Sequence, residues 1–502
     1  MIENTNDLPR LPHNWIWTTT SEVCSSVRDG THETPRYVEN GVPLITSKNL
    51  KPSGLDFATA KNISLEDHQK IIIRSGVDDG DVLFAMIGTI GNPVVVYTKK
   101  AFSIKNVALF KKNESFIKPE YLKYWLENPV FKKLLEEKEL LRGTTQKFIP
   151  LENLRILPVP LAPFDEQVRI AARVEELFAR LDAGVEGCRK VKAQLKRYRQ
   201  AVLKYAFEGK LTEEWRKTHK DQIEPATELL QRIKQERKKD PKYEEPPPID
   251  EFDLPKIPEN WMWTTIGSLF DIGSGGTPSR RKPEYWAGNI PWVSSGEVAF
   301  CEIWSTNEYI TKEGLENSSA KLYPEGTVLM ALYGEGKTRG QTAILRIAAT
   351  TNQAIACIRC TNSPVPPEYV YWWLYYRYYE TRRIREGANQ PNMYLHHVRR
   401  MTIPVPPLLE QKEIIQKIEK SLSVADEIDR TVDTSLLQAG RLRQCILKTT
   451  FEGKLVSQDP SNEPAEKLLE RIKAERAKSK GEKSTDRKKN KPKQLELSTY
   501  VE

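Results

Sequence analysis

The sequence predicts an α+β protein in which two similar, mixed α/β globules are separated by long helices. Three observations support this prediction. The chain repeats itself once, each copy begins with a segment rich in Gly, Pro and aromatic residues, and apolar residues at seven-residue spacing follow each such segment. With 502 residues, of which 39% are hydrophobic, the chain is long enough for several folded cores.

The internal repeat covers nearly the whole chain at a period of about 246 residues. LPHNWIWTT returns as IPENWMWTT, which aligns Trp15 with Trp261, and the same offset aligns Asn106 with Asn352. PEYLKYWL (returning as PEYVYWWL), PVP, EQ and FEGKL then recur in the same order. Such a long period indicates a duplicated domain pair rather than a solenoid of short repeats.

Each copy opens with a globule of about 155 residues that mixes strand and helix patterns. VLFAMI at 82–87 and TVLMALY at 327–333 predict short strands. Helical patterns follow at 120–139 and 368–385. The strings PVPLAP and PVPP predict the end of each globule, because proline lacks a backbone donor and stops strand pairing.

A long helix is predicted after each proline-rich string. Apolar residues at every seventh position are typical of a coiled-coil seam, although the core of an ordinary helix bundle has a similar pattern. Each helix has about 40 residues, which corresponds to a length of about 60 Å. The predicted seam consists of Val174, Leu181, Cys188, Leu195, Val202, Ile418, Ala425, Val432, Ala439 and Ile446.

The positive charge of the chain is concentrated near its C-terminus. The formal net charge is +9, yet residues 471–493 contain 11 Lys or Arg and 3 Asp or Glu, a net of +8. The charge therefore predicts a basic tail and does not mark a binding surface on the globules. We find no signal-peptide pattern, no bilayer-spanning apolar stretch and six scattered cysteines, which together predict a cytoplasmic protein with reduced thiols.

Several strings resemble nucleotide-binding or metal-binding motifs, but their sequence context favours other interpretations. ALYGEGKT at 331–338 has P-loop spacing if Ala is permitted first, yet TAILRI at 342–347 predicts a second strand where a P-loop needs a helix. Cys357 and Cys360 lie in a strand-like apolar run, which favours a core over a zinc site. The sequence has no adenine-methyltransferase string and no metal-ligand spacing among its six His. We therefore predict a non-enzymatic chain with no catalytic residue and no metal.

The strings quoted above, with RYRQAVLKYAFEGKLTEEWR at 197–216 and LLERIKAERAK near the end, strongly resemble a known family. The chain resembles the specificity subunit of type I restriction–modification systems, most closely the branch with GKLTxxWR after the central helix. One departure is visible. After Gly453 the second copy continues KLVSQDP and lacks the pair formed by Trp215 and Arg216 in the first.

The resemblance implies a fold and a function. The two long helices would form an antiparallel coiled coil with a pseudo-two-fold internal repeat. Each globule would be a target-recognition domain for one half of a bipartite, asymmetric site in double-stranded DNA. Two modification (methyltransferase) subunits using S-adenosylmethionine, and two restriction subunits using ATP and Mg²⁺, would join a chain that has no cofactor of its own. A scaffold that binds no DNA, or an enzyme using the loop at 331–338, are the alternatives.

The same resemblance suggests seven segments. They are a first target-recognition domain (1–165), a central long helix (166–215), a short helix with an acidic, Pro-rich linker (216–255), a second target-recognition domain (256–409), a second long helix (410–455), a C-terminal helix (456–480) and a basic, disordered tail (481–502).

Candidate DNA-binding residues follow from base chemistry and from their place in loops. Arg pairs well with guanine, and Asn or Gln with adenine, in the major groove, although Asn and Gln in loops more often form turns. The candidates in the first globule are Lys48, Asn49, Asn92, Lys105, Asn106, Gln146 and Lys147. Those in the second are Arg280, Arg281, Lys337, Arg339, Asn352, Gln353, Asn389, Gln390 and Asn392.

Overall fold

The computed structural model describes residues 8–241, 243–250, 252, 254–334, 336–383 and 393–489. The chain divides into two compact units. The first unit combines Met1–Cys188 with Thr434–Glu502, and the second is Arg189–Asp433. Each unit thus contains one globule and half of each long helix. The predicted α+β class, with two globules and long helices, is confirmed.

The globule of the first unit contains two four-stranded sheets and two strand pairs. The central strands of the first sheet are buried along their length, which explains their continuous apolar sequence. In spatial order, the first sheet is Ser26–Asp29, Val107–Lys111, Val82–Ala85 and Gly91–Val95, and the second is Ser103–Ile104, Val42–Ile45, Lys61–Ile63 and Tyr37–Val38. The two pairs are Ile16–Thr19 with Pro158–Leu161, and Leu50–Lys51 with Gly54–Leu55.

Short helices complete the first globule. They are Thr20–Val23, Leu65–Ser75, Pro119–Glu127, Pro129–Glu137 and Leu151–Arg155, with a 3₁₀ turn at Ser47–Asn49. The helical pattern predicted at 120–139 is two helices, because the Asn128 side chain accepts a hydrogen bond from the Val130 amide (2.8 Å) and starts a new helix before Pro129. Tyr121 and Trp125 each donate to a carbonyl of the Pro158–Leu161 strand, both at 2.6 Å.

The globule of the second unit repeats this plan. Its five-stranded sheet has the order Asp271–Ser274, Ile355–Arg359, Val328–Ala331, Thr342–Leu345 and Cys301–Ile303, and its three-stranded sheet the order Glu308–Ile310, Trp286–Val293 and Thr350–Thr351. Met262–Thr265 pairs with Thr402–Val405. Tyr369 and Trp373 donate to Pro404 and Thr402 carbonyls, as Tyr121 and Trp125 do in the first globule.

The helices of the second unit, apart from the long ones, are short. They are Glu213–Thr218, Ala226–Arg237, Ile266–Leu269, Lys312–Glu316, Pro367–Tyr376, Tyr378–Thr381 and Leu395–Arg400, with 3₁₀ turns at Lys220–Gln222, Pro283–Tyr285 and Ser295–Glu297. The pattern predicted at 368–385 is therefore divided after Tyr376, and its last two residues lie outside the described residues.

The first long helix is Phe164–Phe207 and the second long helix is Leu408–Phe451. In the second unit their halves pack antiparallel. Lys192 contacts Asp433 (2.6 Å) and Arg199 contacts Asp426 (2.7 Å), so a step of seven residues forward on one helix is seven back on the other. Seam positions Val174, Leu195, Val202, Ile418, Ala425 and Val432 are buried, and Leu181, Cys188, Ala439 and Ile446 are half-buried.

In the second unit, the turn after the first long helix closes over a buried carboxylate. The helix ends at Phe207, and two residues later the turn uses Gly209, whose φ of +74° suits a glycine. Glu410 then accepts hydrogen bonds from Thr212 Oγ1 (2.7 Å), Arg216 Nε (2.9 Å) and Trp261 Nε1 (2.9 Å). The Glu410 side chain is fully buried, so these donors replace the water that an ionised carboxylate loses.

The corresponding carboxyl in the first unit, Glu166, lacks this set of donors. Its Oε1 and the nearby Trp15 Nε1 are buried, and neither has a hydrogen-bond partner among the described residues. Val456 stands third after Gly453, where Thr212 stands third after Gly209, and no counterpart of Arg216 follows. Burial raises the pKa of the Glu166 carboxyl; the nearby Trp15 indole N–H, although it makes no well-formed hydrogen bond to Oε1, and the positive charge of Arg169 offset only part of this effect.

The C-terminal helix, Ala465–Lys489, packs on the first globule. The Ala465 amide donates to the Asn14 carbonyl (3.1 Å), and Arg476 donates to the Ser21 and Cys24 carbonyls. The helix extends past the predicted boundary at residue 480, while the rest of the predicted tail, 490–502, lies outside the described residues.

Candidate nucleic-acid interface

A groove of about 620 Å³ in the first unit brings together five of the seven residues predicted for its globule: Lys48, Asn49, Lys105, Asn106 and Gln146. They come from three separate loops, so the fold assembles them. Tyr37 and Lys61 also line the groove, with Lys61 Nζ 4.5 Å from the centre of the Tyr37 ring. Sequence reasoning missed both, because only the non-local pairing of their two strands places them there.

The structure gives Asn49 a different role from the predicted one. Its side chain is buried and accepts hydrogen bonds from the Thr46 amide (2.9 Å) and hydroxyl (2.8 Å). Its amide nitrogen donates to the Asp56 carbonyl (3.2 Å). Asn49 therefore holds the loop that carries the exposed Lys48, because both ends of its amide are already used.

Asn92 and Lys147 do not line the groove. Asn92 is exposed in the Gly91–Val95 strand with a φ of +46°, and Lys147 Nζ lies 3.9 Å from Glu136. The exposed Gln146 reaches the groove beside Gly88, whose amide donates to the Lys147 carbonyl (3.0 Å).

A glycine in each globule permits a close backbone contact beside the candidate residues. A Cβ on Gly30 would lie 2.4 Å from the Ile104 carbonyl oxygen, and one on Gly275 would lie 1.9 Å from that of Thr351. The amide of the next residue donates to the same oxygen in both globules, from Thr31 (3.1 Å) and from Gly276 (2.8 Å). Only glycine fits such an approach.

These contacts correct one alignment made from the sequence. The Lys105 amide donates to the Ile45 carbonyl (2.9 Å), and the Asn352 amide donates to the Val293 carbonyl (3.0 Å). In the fold, Lys105 is therefore the counterpart of Asn352. Asn106 is then the counterpart of Gln353, one residue beyond the residue that the repeat offset indicated.

The side chains of Asn106 and Gln353 each contact the loop that follows the glycine of their globule, Gly30 or Gly275. His32 Nδ1 lies 2.9 Å from Asn106 Oδ1, and His32 Nε2 lies 2.8 Å from the buried carboxylate of Asp29. Arg74 contacts the other oxygen of Asp29 (2.5 Å). In the second globule, Thr277 Oγ1 donates to Gln353 Oε1 (2.6 Å). Asn352 itself accepts from the Ala354 amide (3.0 Å) and forms a turn.

Arg280 is engaged within the chain. Its Nη2 lies 2.9 Å from Glu308 Oε2, its Nη1 contacts the other oxygen, and its guanidinium stacks 3.6 Å from the centre of the Trp286 ring. The edge that would pair with guanine thus already holds a carboxylate. Arg281 is exposed.

The string at 331–338 connects two strands, as predicted. Val328–Ala331 pairs antiparallel with Thr342–Leu345, so a strand follows the string where a P-loop requires a helix. Lys337 is exposed on this connection, whereas Arg339 is buried and donates to the Arg382 carbonyl (2.8 Å), which gives it a structural role. The predicted Asn389, Gln390 and Asn392 lie outside the described residues.

Neither a metal cluster nor a membrane span is found in the described part of the chain. No group of three or more His, Cys, Asp or Glu there is arranged to hold a metal ion. Burial raises the pKa of the Cys357 thiol to about 12, which disfavours the thiolate that a metal needs. Among the helices described, none combines the length and the apolar character needed to cross a membrane.

The family model described as type I restriction modification DNA specificity domain matches the chain twice, at residues 12–186 and 258–436. Each range lies within one copy of the internal repeat, and together they cover more than half of the chain. The chain therefore belongs to this family.

Curated relatives agree with this assignment, and a solved structure shares the fold. The chain is 28% identical to the type I restriction enzyme EcoDI specificity subunit of Escherichia coli over 74% of this chain and 80% of that protein. It is 23% identical to the EcoKI specificity subunit of E. coli K12 over 95% and 99%. The HsdS subunit of Thermoanaerobacter tengcongensis shares the fold, with a TM-score of 0.53 at 18% identity over 90% of this chain and 100% of that one.

Proposed function

We propose that this chain is the DNA sequence-recognition subunit of a type I restriction–modification complex and carries out no catalysis itself. Each globule binds one half of a bipartite, asymmetric site. The observation that carries the proposal is the groove of the first unit, where Lys48, Lys105, Asn106 and Gln146 offer charged donors for phosphates and amides for base edges. Non-identical globules favour a non-palindromic site.

The proposal includes the rest of the complex. Two modification subunits that bind S-adenosylmethionine, and two restriction subunits that use ATP and Mg²⁺, would assemble with this chain in the cytoplasm. We also place the chain in the branch that has GKLTxxWR after the central helix. The contacts of Thr212 and Arg216 with Glu410 support a structural reason for that motif.

The long helices would set the gap between the half-sites. Inserting four residues near Gln200 adds about 6 Å of helix, and we expect the preferred gap to change by about one or two base pairs. Both half-sites should stay the same. Altered half-sites would contradict this role.

Methylome sequencing of cells with and without the gene tests the whole proposal. We expect one bipartite adenine-methylated motif that disappears with the gene. Gel-shift titrations with random DNA should show binding that weakens steeply with salt, because phosphate contacts release counterions. A chain that binds no DNA under either test, yet joins protein partners, would be a scaffold instead.

A further inference from the structure

In both globules the carbonyl oxygen of an amide side chain at the candidate interface lies within hydrogen-bond distance of a side chain from a neighbouring loop. Asn106 is held by His32 (2.9 Å) and Gln353 by Thr277 (2.6 Å). The four residues occupy equivalent places, since each donor lies two residues after Gly30 or Gly275 and each amide two residues after the carbonyl that this glycine approaches. The arrangement therefore occurs twice with different side chains.

His32 and Thr277, the two side chains that contact these amides, differ in chemistry. His32 also contacts the buried Asp29 carboxylate, which Arg74 holds from its other side. Nε2 of His32 faces the Asp29 carboxylate and its Nδ1 faces Asn106 Oδ1, so the two ring nitrogens link the carboxylate to the amide. Thr277 reaches Gln353 with a hydroxyl, which donates one proton. Within the described residues, the amide nitrogens of Asn106 and Gln353 have no hydrogen-bond partner.

We propose that His32 and Thr277 are positioning residues that orient the amides of Asn106 and Gln353 so that their N–H₂ groups face the DNA. The proposal rests on the DNA-recognition function proposed above. The major-groove acceptors are guanine O6 and N7, adenine N7 and thymine O4. A full Asn or Gln pair with adenine uses the carbonyl oxygen as well as the nitrogen. Adenine presents an N6–H₂ donor beside N7, and an amide whose oxygen is engaged cannot accept from it, so such an amide favours guanine or thymine over adenine.

Site selection from a random DNA library tests this proposal with the full chain, alone and with modification subunits. We expect the wild type to select guanine or thymine at one position in each half-site. Asn106→Asp and Gln353→Glu keep the shape but replace the N–H₂ donor by an acceptor. Each should reduce that preference by roughly five- to hundredfold, in its own half-site only.

The positioning residues His32 and Thr277 are tested separately from Asn106 and Gln353. Thr277→Val removes the donor and should let the Gln353 amide turn, which weakens discrimination against adenine at that position severalfold. Thr277→Ser keeps the hydroxyl and should behave as the wild type. His32→Ala should have the corresponding effect in the other half-site. Thermal unfolding of each variant checks that the fold is retained.

Three results would overturn the proposal. The first is a wild type that selects adenine at these positions. The second is a Thr277→Val variant that selects the same bases as the wild type. The third is a Thr277→Ser variant that loses discrimination against adenine as Thr277→Val does, because side-chain packing and not the hydroxyl would then be responsible. If the wild type selects no bipartite site, the proposed function itself fails.

Discussion

The two repeats bury the same glutamate in different surroundings. Glu410 in the second unit is paired with Thr212, Arg216 and Trp261. In the first unit, Oε1 of Glu166 is also buried, and it has no hydrogen bond among the described residues. Taking a carboxylate out of water costs several kcal/mol unless donors replace the water. The comparison teaches that both units bury this carboxylate, while of the two only Glu410 forms an ion pair, with the cation Arg216, among the described residues.

The largest effect should come from removing that cation. Arg216→Ala leaves the Glu410 carboxylate buried without its charge partner, and we expect a loss of about 3 kcal/mol in the free energy of unfolding. Denaturant unfolding of the full chain measures it. Lys217→Ala is the matched control, because Lys217 forms only exposed ion pairs with Glu213 and Glu214 and should leave stability nearly unchanged. Equal losses in both variants would show that the buried pair contributes nothing special.

Replacing each glutamate by glutamine should act in opposite directions. Glu410→Gln removes the carboxylate that Arg216 needs, so the second unit should lose stability. Glu166→Gln removes a buried charge that forms no ion pair among the described residues and that Arg169 stabilises only in part, so the first unit should gain stability at neutral pH, on the order of 1 kcal/mol. Thermal unfolding of the two variants measures both signs. Losses in both would contradict the difference between the repeats.

The pH dependence of stability should separate the wild type from Glu166→Gln. Burial raises the folded-state pKa of Glu166 above its ordinary value of 4.5. The folded chain therefore holds this proton more tightly than the unfolded chain, and the stability so gained is complete below about pH 4.5. It is lost as pH rises through the folded pKa. Unfolding measured from pH 4 to 8 should show this decline in the wild type and not in the variant.

Much of the fold was predictable because its signals are local or periodic. The apolar runs around Val82–Ala85 and Val328–Ala331 and the seven-residue spacing of the long helices follow directly from the sequence. The role of Asn49 also had a local signal, since Thr46 three residues earlier gives the spacing of a capping box. Five residues of the groove were predictable as loop amides and cations.

The remaining features depend on contacts between distant parts of the chain. That Asn106 and Gln353 are structural counterparts follows from the backbone hydrogen bonds that set strand register in each globule. A constant offset between the two repeats in the sequence does not reveal a shift of one residue. The sequence shows that the second copy lacks a Trp-Arg pair. It does not show that Arg216 reaches a glutamate 194 residues later. Such long-range contacts carry no periodic signal.

The smallest expected effect comes from a single hydroxyl. Val456→Thr would place in the first unit the donor that Thr212 supplies in the second, at nearly the same side-chain volume. A hydrogen bond to the Glu166 carboxyl should raise the free energy of unfolding by about 1 kcal/mol, the net value of one typical hydrogen bond. Thr212→Val is the matched control and should lose a similar amount through Glu410. Because the gain depends on the charged carboxyl, it should shrink when Val456→Thr is combined with Glu166→Gln; an undiminished gain would show that the introduced hydroxyl acts elsewhere.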